Sequence, residues 1–476
     1  MPAHRRKSVA IIGGGLTGGA IAYHLAEREA AADITVFEPR ADLGRGLAYG
    51  TDDDAHRINV PAAKMSLLPS DEAHFVNWIA ETNALTDDPH ALAADGNIYV
   101  RRLLFGRYVS EHIAPHLEAG RISHERSRVV SISKTAQGVW MISTADGRRH
   151  ETDIVVLATT HPAPGVPEVL QRALGNDPRL IPDATVKDAL RHIEPSARVV
   201  IVGTGLTMAD VVASLECQGH TGLVFAFSRR GLLSRGHARD QHLNFGEFVA
   251  SAISARTLLR AVRATIEDAL RQRIPWQPVI DAVRAQATLF WPNLPVAERQ
   301  RIVRHLRPYW DVHRFRIAPQ IEAILKDRVA AGTLTVKAAS LVSAQADTNG
   351  IQIGVRLRNN QTLEAVSADY VVVTTGPAHG AALATQPHLA SLARGGHITA
   401  DAFGLGISCS RRGQALDTDG VAAPNLLIAG PLARGTFGEL MGLPQVTNYA
   451  QAIAGEVLDE LSQNRIAPKA VLTAAQ

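Results

Sequence analysis

The sequence predicts an α/β fold made of two nested Rossmann-like dinucleotide-binding domains with a helical insertion. Three observations lead there: two glycine-rich fingerprints that each follow a hydrophobic strand, two matching strands that return later in the chain, and one proline-punctuated stretch with helical periodicity.

The first fingerprint follows Ser8-Val-Ala-Ile-Ile12 and reads Gly13-x-Gly15-x-x-Gly18. Twenty-five residues after Gly13, the strand Ile34-Thr-Val-Phe37 ends at Glu38. Glycines at the first two positions permit a tight turn and bring the backbone close to a pyrophosphate, whose charge then sits at the positive end of the following helix. A carboxylate at the end of the second strand accepts from both ribose hydroxyls, which suits FAD or NAD and repels a 2′-phosphate. Gly13, Gly15, Gly18 and Glu38 are therefore expected to hold FAD.

The second fingerprint follows Arg198-Val-Val-Ile-Val202 and reads Gly203-x-Gly205, with Met208 where a third glycine would stand. At the same twenty-five-residue spacing, the strand Leu223-Val-Phe-Ala-Phe227 runs into Ser228-Arg229-Arg230. Two guanidinium forks and a hydroxyl suit the 2′-phosphate of NADPH, so Gly203, Gly205, Ser228, Arg229 and Arg230 are expected at an NADPH site. NADH stays open, because the arginines could also be a solvated pair. An ordinary strand-to-helix turn is the bland alternative for either fingerprint.

Asp153-Ile-Val-Val-Leu-Ala-Thr-Thr160 and Asp369-Tyr-Val-Val-Val-Thr-Thr-Gly376 align residue for residue as buried strands running into tight turns. Short alternating strands precede each, at 128–133 and 139–144 before the first and 351–357 before the second, with Asp146-Gly147 as a hairpin turn. Val130 in the first of these strands is added to the expected FAD contacts. The implied nesting places an FAD domain at 1–165 and 366–476 around an NAD(P)H domain at 190–345, an architecture like that of glutathione reductase. The proline-rich run 162–167 suits a hinge between them.

Within the second domain, Leu258, Val262, Ile266 and Leu270 recur at helical spacing, as do Ile317, Ile321 and Leu325, and six prolines punctuate the stretch. A helical insertion is expected at about 240–330, rich in arginine and carrying Trp276, Trp291 and Trp310. It is either a cap over the cleft or a plain surface bundle. Near the C-terminus, Asn425-Leu-Leu-Ile-Ala-Gly430 reads as a strand ending at glycine. Arg434-Gly-Thr-Phe-Gly-Glu439 follows, and then Gly442-Leu-Pro444-Gln445-Val446 opens a helix. Gly430, Pro444, Gln445 and Val446 are expected near the flavin, where a helix N-terminus favours the anionic reduced form.

The chain's 476 residues allow two to three domains, with 46% hydrophobic and 20% charged residues and a net charge of +3. Nothing in that balance calls for nucleic acid or a membrane surface, and no apolar run approaches the roughly eighteen residues of a membrane span. His4-Arg-Arg-Lys7 is followed directly by the fingerprint strand rather than a signal-peptide core, so a cytoplasmic location is expected. Cys217 and Cys409 form no Cys-x-x-Cys pair, which removes a redox-active dithiol, and both are expected in the core. His237 and His242 come nearest to a metal-ligand pair, and no metal is expected.

Further stretches are Gly44-Arg-Gly-Leu-Ala-Tyr49, His56-Arg-Ile-Asn-Val-Pro-Ala62 with Met65, Leu104-Phe-Gly-Arg-Tyr108, Gly203-Thr-Gly-Leu-Thr207 with Asp210, Ser228-Arg-Arg-Gly231, Trp310-Asp-Val-His-Arg314 and the region 430–435. Together they resemble the FAD/NAD(P)-binding family that includes bacterial flavin-dependent urate hydroxylases and aspartate N-hydroxylating monooxygenases. The resemblance implies that Gly44, Arg45 and Gly46 line the flavin pyrophosphate and that Asn59 and Pro61 lie near the isoalloxazine ring. Asn59 offers both a donor and an acceptor to a ring edge, or serves as a turn cap. Lys64 is a candidate charge partner for an anionic substrate, or simply an exposed lysine. Thr160 departs from the glycine that related flavoproteins often carry there.

The function so implied is an NAD(P)H-dependent flavin monooxygenase that uses O2 and a C4a-(hydro)peroxyflavin to hydroxylate a small, polar, nitrogen-containing substrate. An FAD-dependent NAD(P)H:acceptor oxidoreductase and a non-catalytic flavin-binding regulator remain the alternatives.

Overall fold

The computed structural model describes residues 5–463. His4 and residues 464–476 of the expected C-terminal half lie outside the described residues. β1 (Lys7–Ile12) and β2 (Ala32–Phe37) pair in parallel across the helix Leu16–Glu27, and β3 (Ile122–Glu125) extends the sheet beyond β2. β4 (Val129–Lys134), β5 (Trp140–Thr144) and β6 (Arg149–Thr152) form a separate antiparallel meander. β7 (Ile154–Leu157) then pairs with the other side of β1. All four residues of β7 are buried aliphatics, as a parallel strand covered on both faces requires.

The second unit repeats the plan. β8 (Leu180–Ile181) forms one edge, and β9 (Val199–Val202) and β10 (Val224–Ser228) flank the helix Leu206–Cys217. β11 (Leu334–Asp347) starts parallel to β10 and continues into an antiparallel meander with β12 (Gly350–Leu357) and β13 (Leu363–Ala368). β14 (Tyr370–Val373) returns beside β9, and β15 (Gln414–Leu416) and β16 (Ala422–Ile428) complete the first sheet next to β7. The orders are β15-β16-β7-β1-β2-β3 and β13-β12-β11-β10-β9-β14-β8. Each order reverses at its fingerprint strand, so both fingerprint turns open at a switch point, where α/β sheets bind ligands.

Two expected boundaries move. Tyr370–Val373 pairs with Val199–Val202, so an FAD half beginning at 366 would take the second unit's own return strand. The second sheet accordingly runs from β8 to β14 rather than over 190–345. The cause lies in the matching aspartates. Asp369 accepts the N–H of Arg198 at 2.7 Å, just as Asp153 accepts that of Ser8 at 2.8 Å, and each ties its strand to its own fingerprint strand. The two chain crossings lie together, where Pro164 bridges Pro377 and Thr375 donates to the carbonyl of Gly165.

The insertion is also shorter than 240–330. The helix Pro319–Ala330 packs on the helix Leu206–Cys217 and leads into β11, and Ile321 and Leu325 join the main core. It is therefore the crossover helix of the second unit. The helices inserted ahead of it, Ala255–Arg271, Gln277–Phe290, Val296–Arg301 and Arg307–Arg314, surround a core of their own that includes Phe248, Val279, Phe290 and Trp291. Ser254 and Thr257 start the first of them with a reciprocal capping box. Cys217, expected in the core, is exposed because it falls at the end of its helix, whereas Cys409 is buried.

Candidate active site

The first fingerprint turn is built by backbone approach. Gly13 sits at φ 100°, donates to the carbonyl of Phe37, and would drive a Cβ to within 2.6 Å of the Ala158 oxygen. A Cβ on Gly18 would lie 1.9 Å from the Gly13 oxygen, so helix and strand meet only through glycine. Gly15 caps the helix, and no side chain accepts its first-turn amides. Gly44 and Gly46 fold over this turn: Gly44 donates to the Gly14 carbonyl, and a Cβ on Gly46 would lie 2.9 Å from the Gly15 Cα. Free helix-end amides in a cradle that a Cβ would fill fit a pyrophosphate. Arg45 beside it is held by Ser110 and Asp42.

Glu38 is buried at the end of β2. One carboxylate oxygen accepts the N–H of Gly14 at 3.0 Å, and the other is held by the backbone and guanidinium of Arg40. Val130 is the residue that the β4–β5 register skips. Gly430, at φ 60°, lies two residues beyond β16 against Thr17, and the helix Gln445–Gln463 begins just after Pro444 with Val446 buried. Thr160 is exposed and outside the left-handed region, whereas Gly376, its counterpart, adopts φ 79°.

The second turn matches the first. Gly203 sits at φ 129° and donates to Phe227, with Thr374 where Ala158 stands in the first unit. Gly205 caps its helix with no side-chain bond, and Met208 is wholly buried. Thr204 donates to the Leu232 carbonyl, so the Ser228 hydroxyl donates to Thr204 and accepts from Gly231. Ser228 therefore serves the turn. Arg229 is exposed, and Arg230 lies over the Tyr309 ring at 5.6 Å.

A cavity of about 220 Å³ lies where the units meet. Asn59, Pro61 and Lys64 line it from the first unit, and Leu206, the first residue of the second fingerprint helix, lines it from the other side. The inserted helices contribute Asp281, Arg284 and Arg314, and the link that follows them contributes Arg316, so the insertion is a cap over the cleft rather than a surface bundle. Lys64 is exposed at the rim. Asn59 uses its side-chain oxygen to accept from Ala318 and its carbonyl to accept from His237. Burial, with Arg316 nearby, lowers His237 to about 4, leaving a neutral imidazole.

The cap arginines carry most of the electrostatics. Burial, then Arg314, pushes Arg284 down to about 9, and it donates to the Leu443 carbonyl and to the Gln445 side chain. Its Nε has no hydrogen-bond partner. Arg314 and Glu439 form a buried pair, with Trp310 donating to the same carboxylate. Burial alone would raise Glu439, but Arg314, Arg284 and Arg434 together hold it below the usual carboxylate range. Sequence reading found the arginine enrichment without showing which arginines turn inward. Glu439 stood in a quoted motif but without a role.

His237 and His242 do not pair, since His242 is exposed, and among the described residues no three His, Cys, Asp or Glu side chains gather to hold a metal. No helix there is long and apolar enough to cross a membrane.

Residues 10–162 match the family model described as FAD-NAD(P)-binding. That stretch carries the first fingerprint turn, Glu38 and the strands β2 to β7. No curated protein sequence matches the chain. Among solved structures, reduced ornithine hydroxylase from Pseudomonas aeruginosa is 17% identical with a TM-score of 0.65, covering 96% of this chain and 99% of its own. The ornithine N-hydroxylase of Kutzneria sp. 744, solved with reduced FAD, NADP+ and L-ornithine, is 18% identical with a TM-score of 0.60 over the same shares. The FAD-bound cadaverine monooxygenase of Erwinia amylovora is 12% identical with a TM-score of 0.62, covering 98% of this chain and 97% of its own. At these identities the likeness is one of fold.

Proposed function

We propose that this chain is an FAD-dependent NADPH monooxygenase that hydroxylates a nitrogen of a small amine. The observation that carries the reading is the cavity walled at once by Asn59 and Pro61 of the first unit, Leu206 of the second and Arg284 and Arg314 of the cap. The hydroxylases of ornithine and cadaverine among the structures of like fold support the reaction class. When bound, FAD supplies hydride acceptance from NADPH and activation of O2. The balance is one substrate N–H, O2, NADPH and a proton giving N–OH, water and NADP+.

This chain's residues supply the rest. Gly13, Gly15, Gly18, Gly44 and Gly46 would hold the FAD pyrophosphate and Glu38 its ribose, with the second fingerprint and Arg229 holding NADPH. Arg284, bonded to Leu443 and Gln445, places positive charge at the start of the C-terminal helix, where negative charge is favoured. His237, neutral with Nε2–H given to Asn59, presents Nδ1 as an acceptor for a substrate N–H. The cap covers the space and limits water. Lys64, exposed at the cavity, favours a substrate that also bears a carboxylate, whereas Arg316 is taken up by a two-bond pair with Asp281.

The test is NADPH oxidation, O2 uptake and hydroxylamine detection with FAD-loaded protein and a panel of ornithine, lysine, aspartate, cadaverine and urate. At least one should stimulate NADPH oxidation and yield an oxygenated product in proportion. Reduction of a quinone by NADPH, with no oxygen entering any panel member, would establish the acceptor oxidoreductase instead.

A further inference from the structure

The inserted helices wall a second, open-sided cavity of about 480 Å³, larger than the one between the units and lined mainly by apolar side chains. Leu259, Val262 and Ile266 face it from the helix Ala255–Arg271, and Ile302, Val303 and Leu306 from a short π-helical turn. Such turns interrupt α-helices mostly at functional sites. The volume is roughly three times the 150 Å³ that accommodates benzene in an engineered apolar cavity, room for a body of roughly ten to fifteen carbons.

One wall is charged in an unbalanced way. Arg434 lines the cavity at 4% exposure, its Nε has no hydrogen-bond partner, and its charge is faced by Asp311 at 3.6 Å and, more distantly, by Glu439. Asp311 is shared with Arg307, which also lines the cavity and bonds it at 3.3 Å. Glu439, the other carboxylate on this wall, is committed to Arg314 and Trp310. Two guanidinium groups thus share one carboxylate at the edge of an apolar chamber, a surplus that an incoming anion would satisfy.

We infer that the cap cavity is a binding site for a hydrophobic monocarboxylate, its apolar body among Val262, Ile266 and Ile302 and its carboxylate on Arg434 and Arg307. The site is separate from the cavity between the units, with the Arg314–Glu439 pair between them.

The test is direct binding to FAD-loaded protein without NADPH, so its failure and that of the monooxygenase reading are distinguishable. The readout is the fluorescence of Trp291 and Trp310, which line the cavity, alongside titration calorimetry. From hexanoate to dodecanoate, affinity should rise roughly fourfold per methylene. Decanoate should bind at least about tenfold tighter than 1-decanol. Arg434→Gln should bring decanoate down to the level of decanol, and Ile266→Trp, which fills the chamber, should weaken both. FAD absorbance and thermal melting show that each variant is folded. Affinity independent of chain length, equal binding of decanoate and decanol to the unaltered protein, or tight decanoate binding to folded Ile266→Trp would each overturn the inference.

Discussion

Arg102 grips Asp210 through two parallel N–H···O bonds of 2.9 Å, Nη1 to Oδ2 and Nη2 to Oδ1. Arg102 opens a helix of the first unit, and Asp210 lies in the fingerprint helix of the second. The pair therefore fixes one dinucleotide turn relative to the other. Its Nε donates to the Arg57 carbonyl, which holds the fork in place. Nearby, Ser214 donates to Asp53 at 2.6 Å across the same seam.

Arg102→Ala should lower stability by about 1.5–3 kcal/mol, the range for hydrogen bonds to charged groups on a mostly buried pair. Urea unfolding is the check. Arg102→Lys should recover little of the loss, because an ammonium cannot make the planar fork. A midpoint unchanged in Arg102→Ala would show that the seam is held elsewhere.

Arg229 should set the nicotinamide preference of the proposed NADPH site. The Ser228 hydroxyl is spent on Thr204 and Gly231, and Arg230 rests on Tyr309, which leaves Arg229 as the exposed charge at the end of β10. Arg229→Ala should raise the KM for NADPH about ten- to a hundredfold, the equivalent of one or two charge-assisted bonds, with the KM for NADH nearly constant. Arg230→Ala should do less. Steady-state kinetics with both nucleotides settle it, and an unchanged ratio of the two would remove the arginine from recognition.

Features encoded within a few residues were legible before any coordinates. Glu38 after β2 and Gly13 after β1 follow from strand, turn and helix signals, and the carboxylate stands beside the fingerprint turn, bonded to the Gly14 N–H. The Asp153 and Asp369 echo was visible too, but its consequence for the boundary at 366 was not, because pairing of Tyr370 with Val199 is a nonlocal fact. Likewise, helical spacing at 258–270 and 317–325 marks a helical insertion rich in arginine but does not show that Arg284 and Arg314 turn toward the cleft. Glu439 meets Arg314 across 125 residues of chain, and only tertiary packing creates that pair. Ser228 carries a further fact that its strand-end position does not show, since its hydroxyl is engaged by Thr204 and Gly231 in the turn.

Acid should destabilise this protein earlier than carboxylate titration alone would. Burial, then Arg28, lowers His24 to about 4; burial, then Arg128, lowers His388 to about 4; and His237 stands at about 4 for the reasons given above. The unfolded chain takes up a proton at each near pH 6.5, while the folded chain resists until about pH 4. The associated stability is thus fully present above pH 6.5 and is lost as pH falls toward 4. Between pH 7 and pH 5 each such histidine costs about 2 kcal/mol. His24 is the sharpest case, since its Nε2 is buried without a hydrogen-bond partner. His24→Gln removes the titration. Urea unfolding at the two pH values should therefore show a loss smaller by about 2 kcal/mol in the variant than in the unaltered protein. Equal losses in both would mean that His24 is already charged in the folded chain.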